Sequence, residues 1–127
     1  MTGSAAERAE QLVVEILVRD LGRSLGVYTA LGFTLERRDA GFAVLRYGDR
    51  RLFLDEVPGL APLTGGSRGN VRVMTADVDA VWEETQRLGL VVERPLGDRH
   101  YGLRDFTVLD PDGFGLRFAS VLPGIRK

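Results

Sequence analysis

A chain of 127 residues, 44% of them hydrophobic and 28% charged, has the composition of one soluble globular domain. Its 17 Lys and Arg are scattered and balanced by 18 Asp and Glu, for a formal net charge of -1, so no basic run offers a footprint for nucleic acid. The absence of cysteine excludes disulfides, thiolate metal sites and cysteine nucleophiles, and the single histidine, His100, leaves little for a metal centre or a triad.

In chain order, residues 1–10 (MTGSAAERAE) lack the apolar core of a secretory signal, and no apolar run approaches the roughly 18–20 residues of a membrane span. They are expected to form a flexible N-terminal arm on a cytoplasmic protein without membrane contact. Residues 13–19 (VVEILVR) are short and rich in β-branched side chains, as strands are. Asp20 is placed to cap a helix whose apolar stripe is Leu21, Leu25, Tyr28 and Leu31, and Gly32 sits where a helix end favours a left-handed residue. FTLERR, GFAVLRY and RRLFLDEV then read as three strands, closing a unit at residues 11–57. Residues 58–69 are the stretch densest in Gly, Pro and Ser and read as a linker.

The order then repeats. LGFTLER at 31–37 returns as LGLVVER fifty-seven places later, and at that offset Asp20 falls on Asp77, Gly32 on Gly89, and Val14, Ile16 and Leu21 on Val71, Val73 and Val78. NVRVMTA is the first strand of a second unit at 70–121. Its helix carries Val78, Val81 or Trp82, Thr85 and Leu88, and LVVERP, LRDFTVL and FGLRFASV are its last strands. DPDG at 110–113 has Pro and Gly where a type I turn prefers them, and residues 122–127 form a tail. The prediction is an α+β fold of two βαβββ modules. One helix covers only one face of a sheet, so joining two such units gives a curved, half-open mixed sheet with a concave cleft.

The stretches VRDLGRSLGVYTALGF (18–33), ADVDAVWEETQRLG (76–89) and YGLRDFTVLDPDGFGLRF (101–118) resemble the vicinal oxygen chelate, or glyoxalase/bleomycin-resistance, superfamily of paired βαβββ modules. The resemblance covers residues 12–121. Its last stretch is similar to the small antibiotic-binding resistance proteins, with an aromatic-Gly pair, Arg, an acidic residue, Phe and a D-P-x-G turn. Metal-dependent relatives place His, Gln or Glu on the first strand of each module and an acidic residue on the last. Here those positions carry Val13 and Asn70 on the first strands, and Phe53 and Arg117 on the last. A divalent ion needs several His or carboxylate ligands converging on it, and arginine would repel it, so no metal and no other cofactor is expected. Glu15 and Asp55, on the same strand faces by the period of two, are the carboxylates from which a displaced site could be built. A metal-dependent lyase, isomerase or dioxygenase of the same fold is therefore the rival reading. With His100 in an exposed loop run, GDRHYG, and no nucleophile elbow or phosphate-binding fingerprint, no catalytic residue is assigned.

The reading reached is a non-enzymatic, metal-independent binder that confers resistance by sequestering a bleomycin-like or other aromatic natural product. The resemblance makes Tyr101 a stacking residue. Phe42, Phe53 and Phe106 are further candidates for the apolar lining, and Asn70, Arg72 and Arg117 for the polar lining. Glu15 and Asp55 are expected to supply the counter-charges of Arg72 and Arg117. Arg37 and Arg38 stand where close relatives present a second aromatic wall, which makes Arg37 a candidate for stacking or for gripping an anionic group. The resemblance also implies a homodimer, with strand exchange as one form of it.

Overall fold

The computed structural model describes residues 12–124, so the expected arm at 1–10 and the last three residues of the expected tail lie outside the described residues. The chain runs β1 (Val14–Val18), α1 (Leu21–Ala30), β2 (Thr34–Asp39), β3 (Phe42–Tyr47) and β4 (Arg50–Glu56). It then repeats this order as β5 (Asn70–Met74), α2 (Val78–Arg87), β6 (Val92–Asp98), β7 (Leu103–Leu109) and β8 (Gly115–Val121). These elements make two four-stranded sheets ordered β1-β4-β3-β2 and β5-β8-β7-β6. In each, the first strand pairs parallel with the last and the other pairs are antiparallel, so both sheets are mixed and the fold is α+β with two βαβββ modules.

The repeated residues fix the repeated geometry. Asp20 accepts from the Arg23 N–H at 3.0 Å and Asp77 from the Ala80 N–H at 3.1 Å, each satisfying an otherwise unpaired amide in the first helical turn. Gly32 and Gly89, with φ of 106° and 71°, take the left-handed conformation that ends both helices. The repeated Glu-Arg pair marks a β-bulge in each module. The β2–β3 register skips Glu36 between Leu35 and Arg37, and the β6–β7 register skips Glu93 between Val92 and Arg94.

Both helices lie over one face of their own sheet, and the residues on those faces merge into one hydrophobic cluster. Ile16, Val18, Leu45, Leu52 and Leu54 come from the first sheet, Leu21, Leu25 and Tyr28 from α1, and Val73, Phe106, Val108, Leu116 and Phe118 from the second sheet. A polar joint also ties the modules. The buried Tyr28 hydroxyl donates to Asp110 Oδ2 at 2.9 Å, while Asp110 Oδ1 accepts the N–H groups of Asp112 and Phe114, both at 2.9 Å. Asp112 Oδ1 in turn accepts from Arg19 Nε at 2.8 Å. The DPDG segment is thus a turn, closed by the Gly113 N–H to the Asp110 carbonyl at 2.9 Å, and it is also the plug between the modules. Burial raises the pKa of both partners of the joint. The proximity of Asp110 raises Tyr28 further, and the hydrogen bonds to Asp110 offset only part of its rise.

Candidate functional site

Because the helices claim one face of each sheet, the strand residues that alternate with the core point to the other face. On the first sheet that outer wall carries Glu15 and Leu17 of β1, Phe53 and Asp55 of β4, and Phe42 and Val44 of β3, as the pairings Glu15 with Phe53, Val44 with Phe53 and Phe42 with Asp55 require. On the second sheet it carries Asn70 and Arg72 of β5, Arg117 and Ala119 of β8, and Asp105 and Thr107 of β7. The register assumed for Arg117 is therefore the register observed, with Arg72 beside it on the neighbouring strand.

The second wall is organised around a carboxylate. Asp105 is 1% exposed, and its Oδ1 accepts from Arg99 Nε at 2.7 Å. Its Oδ2 accepts from Arg117 Nη2 at 2.7 Å, Arg117 Nε at 3.0 Å and the Tyr101 hydroxyl at 2.9 Å. The Tyr101 oxygen accepts in turn from Arg117 Nη2 at 3.0 Å, and the Arg117 guanidinium carbon lies 5.5 Å from the Tyr101 ring centroid. Arg99 also donates to the Pro95 and Asp105 carbonyls. Burial alone would raise the Asp105 pKa, but the hydrogen bonds from Arg99, Arg117 and Tyr101 outweigh it and hold the carboxyl below its ordinary range. Burial likewise works to lower the Arg117 pKa, and the bond and charge of Asp105 reverse it. The result is a fixed, charge-assisted frame that holds a half-buried Tyr101 ring and a half-buried guanidinium together at the open face.

The first wall is organised around rings. Phe42 and Phe53 meet edge to face with centroids 5.2 Å apart, both partly exposed, with Asp55 paired to Phe42 across the ladder. Arg37 faces this wall beside Val44 and pairs with Asp39 at 3.1 Å, both well exposed.

Two sequence expectations are corrected here. The counter-charge of Arg117 is Asp105, because β7 is its ladder neighbour; Glu15 and Asp55 lie on the other sheet, and their side chains, like that of Arg72, make no hydrogen bond or ion pair among the described residues. Phe106 is not wall-facing. It is fully buried, 5.1 Å from Trp82 and 5.5 Å from Phe118 by ring centroids, and belongs to the core under α2. Asp105 and Arg99 were not singled out from the sequence. Counting outward from the DPDG turn pairs residue 107 with 117 and 105 with 119, so the hairpin alone could have put Asp105 on the face of Arg117.

Among the described residues no group of three or more His, Cys, Asp or Glu is placed to hold a divalent ion, and the last-strand positions are Phe53 and Arg117. His100 is exposed and packs edge to face on Tyr101 at 5.1 Å. Among the described residues, no helix is long and apolar enough to cross a membrane.

Comparison with known proteins agrees with the fold. The family model of the Glyoxalase/Bleomycin resistance protein/Dioxygenase superfamily matches residues 11–118. The chain is 29% identical to a bleomycin resistance protein of Geobacillus stearothermophilus over 118 residues, which cover 80% of this chain and 89% of that one. It superposes on the crystal structure of TioX from Micromonospora sp. ML1 with a TM-score of 0.72 and 27% identity, covering 87% of this chain and 98% of the other. It also superposes on a bleomycin-binding protein complexed with bleomycin, with a TM-score of 0.67 and 25% identity, covering 88% of this chain and 98% of the other.

Proposed function

The chain belongs to the Glyoxalase/Bleomycin resistance protein/Dioxygenase superfamily, and from that premise we propose that it binds a small aromatic natural product without metal and without turnover, protecting by sequestration. The observation that carries this reading is the Asp105 frame. A carboxylate tied to Arg99, Arg117 and Tyr101 immobilises a ring and a cation on an exposed sheet face before any ligand arrives, so little side-chain entropy is lost on binding. The same frame argues against acid-base work, since Asp105 is held ionised and Arg117 protonated. Likeness to proteins named for bleomycin resistance and bleomycin binding supports an antibiotic of that type as the ligand.

The ligand groups are Tyr101, Arg117, Asn70 and Arg72 on one wall and Phe42, Phe53, Asp55, Glu15 and Arg37 on the other. Each wall is open in a single chain, so the reading includes a homodimer in which a second copy closes the cleft. Isothermal titration of the full chain with metal-free bleomycin, beside native mass spectrometry at the same concentrations, tests both parts. The expected result is a saturable complex with one ligand per wall pair on a dimer. No complex with bleomycin or any of a panel of peptide and quinone antibiotics would overturn it, as would one equivalent of Zn, Ni, Fe or Mn retained by protein purified without chelator.

A further inference from the structure

The internal repeat creates two related grooves, and they differ in what fills them and in charge. Residues 14–17 of β1 correspond to 71–74 of β5, and each of these edge strands borders a cavity reaching the turn between the last two strands of the other module. The groove beside β1, about 230 Å³, is shared with linker residues Leu60, Ala61 and Leu63 and carries two carboxylates, Glu15 and Asp112. The linker is anchored there by the Leu63 N–H to the Asp112 carbonyl at 3.2 Å, and a Cβ on Gly113 would lie 2.8 Å from that of Leu63. The groove beside β5, about 330 Å³, has no carboxylate in its lining. Its apolar surface includes Phe33 and Tyr47, whose rings are 5.2 Å apart, with Val14, Val71 and Met74, and its charges are Arg50, Arg51 and Arg72.

We infer that this second groove is a binding site, distinct from the outer walls but sharing Arg72 with the second of them, for an apolar molecule ending in an anion, such as an aryl or medium-chain alkyl carboxylate. An aliphatic or aromatic body of that size is what a cavity of this volume and lining buries from water. The anion is specified by the charge. Of the three guanidinium groups that line the groove, Arg51 is paired with Glu36 at 3.1 Å, whereas the Arg72 side chain makes no ion pair or hydrogen bond among the described residues and Arg50 has only a loose contact with Asp49, 3.8 Å away and fully solvated. The apolar lining is largely the helix-side surface of both sheets, Leu52 and Val73 among it; Tyr101, Arg117, Phe42 and Phe53 do not contribute to it, and Arg72, on the strand edge between the two, is shared with the outer wall. The apolar body of a ligand therefore occupies the groove independently of the walls, and the two sites share only Arg72.

The test titrates the full chain with sodium octanoate, 1-octanol and octylammonium by calorimetry, with light scattering on each sample. Octanoate is expected to saturate one site and to bind at least about tenfold more tightly than the other two, since only the carboxylate meets the arginines. Val14→Trp, which fills the groove from a half-exposed strand position, is expected to weaken octanoate by about tenfold or more, and Arg50→Glu by about fivefold. Tyr101→Ala, on the outer wall, leaves octanoate binding unchanged and so separates this site from the wall reading. Equal affinity for all three probes, unaltered binding in Val14→Trp, or a loss in Tyr101→Ala would each overturn the assignment. Failure of octanoate to bind while Val14→Trp changes the oligomeric state would give the groove to a second copy of the chain and overturn it as well.

Discussion

Phe42 and Phe53 on the first wall occupy the same places as Asp105 and Arg117 on the second. The correspondence follows from the ladders: Glu15 pairs with Phe53 as Arg72, its repeat partner, pairs with Arg117, and stepping across the next hairpin sets Val44 against Thr107 and Phe42 against Asp105. One module thus holds its wall with a ring pair at 5.2 Å and the other with an ion pair at 2.7 Å, on the same backbone. A ring pair tolerates the loss of either ring because nothing is left charged. An ion pair around a carboxylate 1% exposed does not, because each loss strands a desolvated charge. The same trace can therefore present an adaptable apolar wall on one side and a rigid polar one on the other.

The largest effect expected from this contrast is on Asp105. Asp105→Asn leaves Arg99 and Arg117 facing a neutral amide and should cost about 2–4 kcal/mol of folding stability, measured by urea denaturation at pH 7. A loss below about 0.5 kcal/mol would mean that water replaces the carboxylate without penalty, and the frame would not be rigid. The pH dependence sharpens this. Since the folded pKa of Asp105 lies below its ordinary value of 3.8, its contribution is fully present above that value and disappears as pH falls through the folded one. The stability gap between parent and Asp105→Asn should therefore be flat near neutrality and shrink only below about pH 4. Asp110, raised by burial, has the opposite sign: the stability linked to its protonation is present at low pH and is lost as pH rises through its folded pKa.

The second effect tests whether the two walls are interchangeable. Replacing both members of the ion pair, Asp105→Phe with Arg117→Phe, copies the first wall onto the second. Arg99 keeps the Pro95 and Asp105 backbone carbonyls as acceptors, so the double variant should lie within about 1–2 kcal/mol of the parent, closer than Asp105→Phe alone. Additive losses in the cycle would show that Asp105 and Arg117 act independently.

What the sequence disclosed about this contrast depended on how each feature is encoded. The repeat, both helices and their caps were legible because Asp20, Asp77, Gly32 and Gly89 act locally and recur at a fixed offset. Arg117 was placed on the correct face because strand alternation is also local. Its partner is legible only by counting the β7–β8 hairpin out from the DPDG turn, which sets Thr107 beside Arg117 and Asp105 beside Ala119, whereas strand alternation alone leaves Asp55, Glu15 and Asp105 equally open. Phe106 was misplaced for a related reason. The alternation of polar Asp105 and Thr107 with apolar Phe106 and Val108 puts Phe106 on the core face once the hairpin register is counted, and its aromatic ring alone does not make it a wall residue. The Tyr28–Asp110 joint spans 82 residues and carries no local signal at all.

The smallest effect concerns Tyr101, which belongs to both the frame and the proposed ligand surface. Tyr101→Phe removes one donor to Asp105 Oδ2 and one acceptor for Arg117 but keeps the ring, and Arg117 still reaches the same carboxylate oxygen through two nitrogens. The stability cost should therefore be only about 0.5–1.5 kcal/mol, and affinity for a confirmed ligand should change little. Tyr101→Ala keeps the same polar vacancy and also removes the stacking face, so affinity should fall by about 1–3 kcal/mol while stability falls no further than the lost partly exposed area requires. Calorimetric titration of the two variants side by side separates the roles. If Phe and Ala weaken binding equally, the hydroxyl is what the ligand uses, and the second wall recognises by hydrogen bonding where the first would recognise by rings.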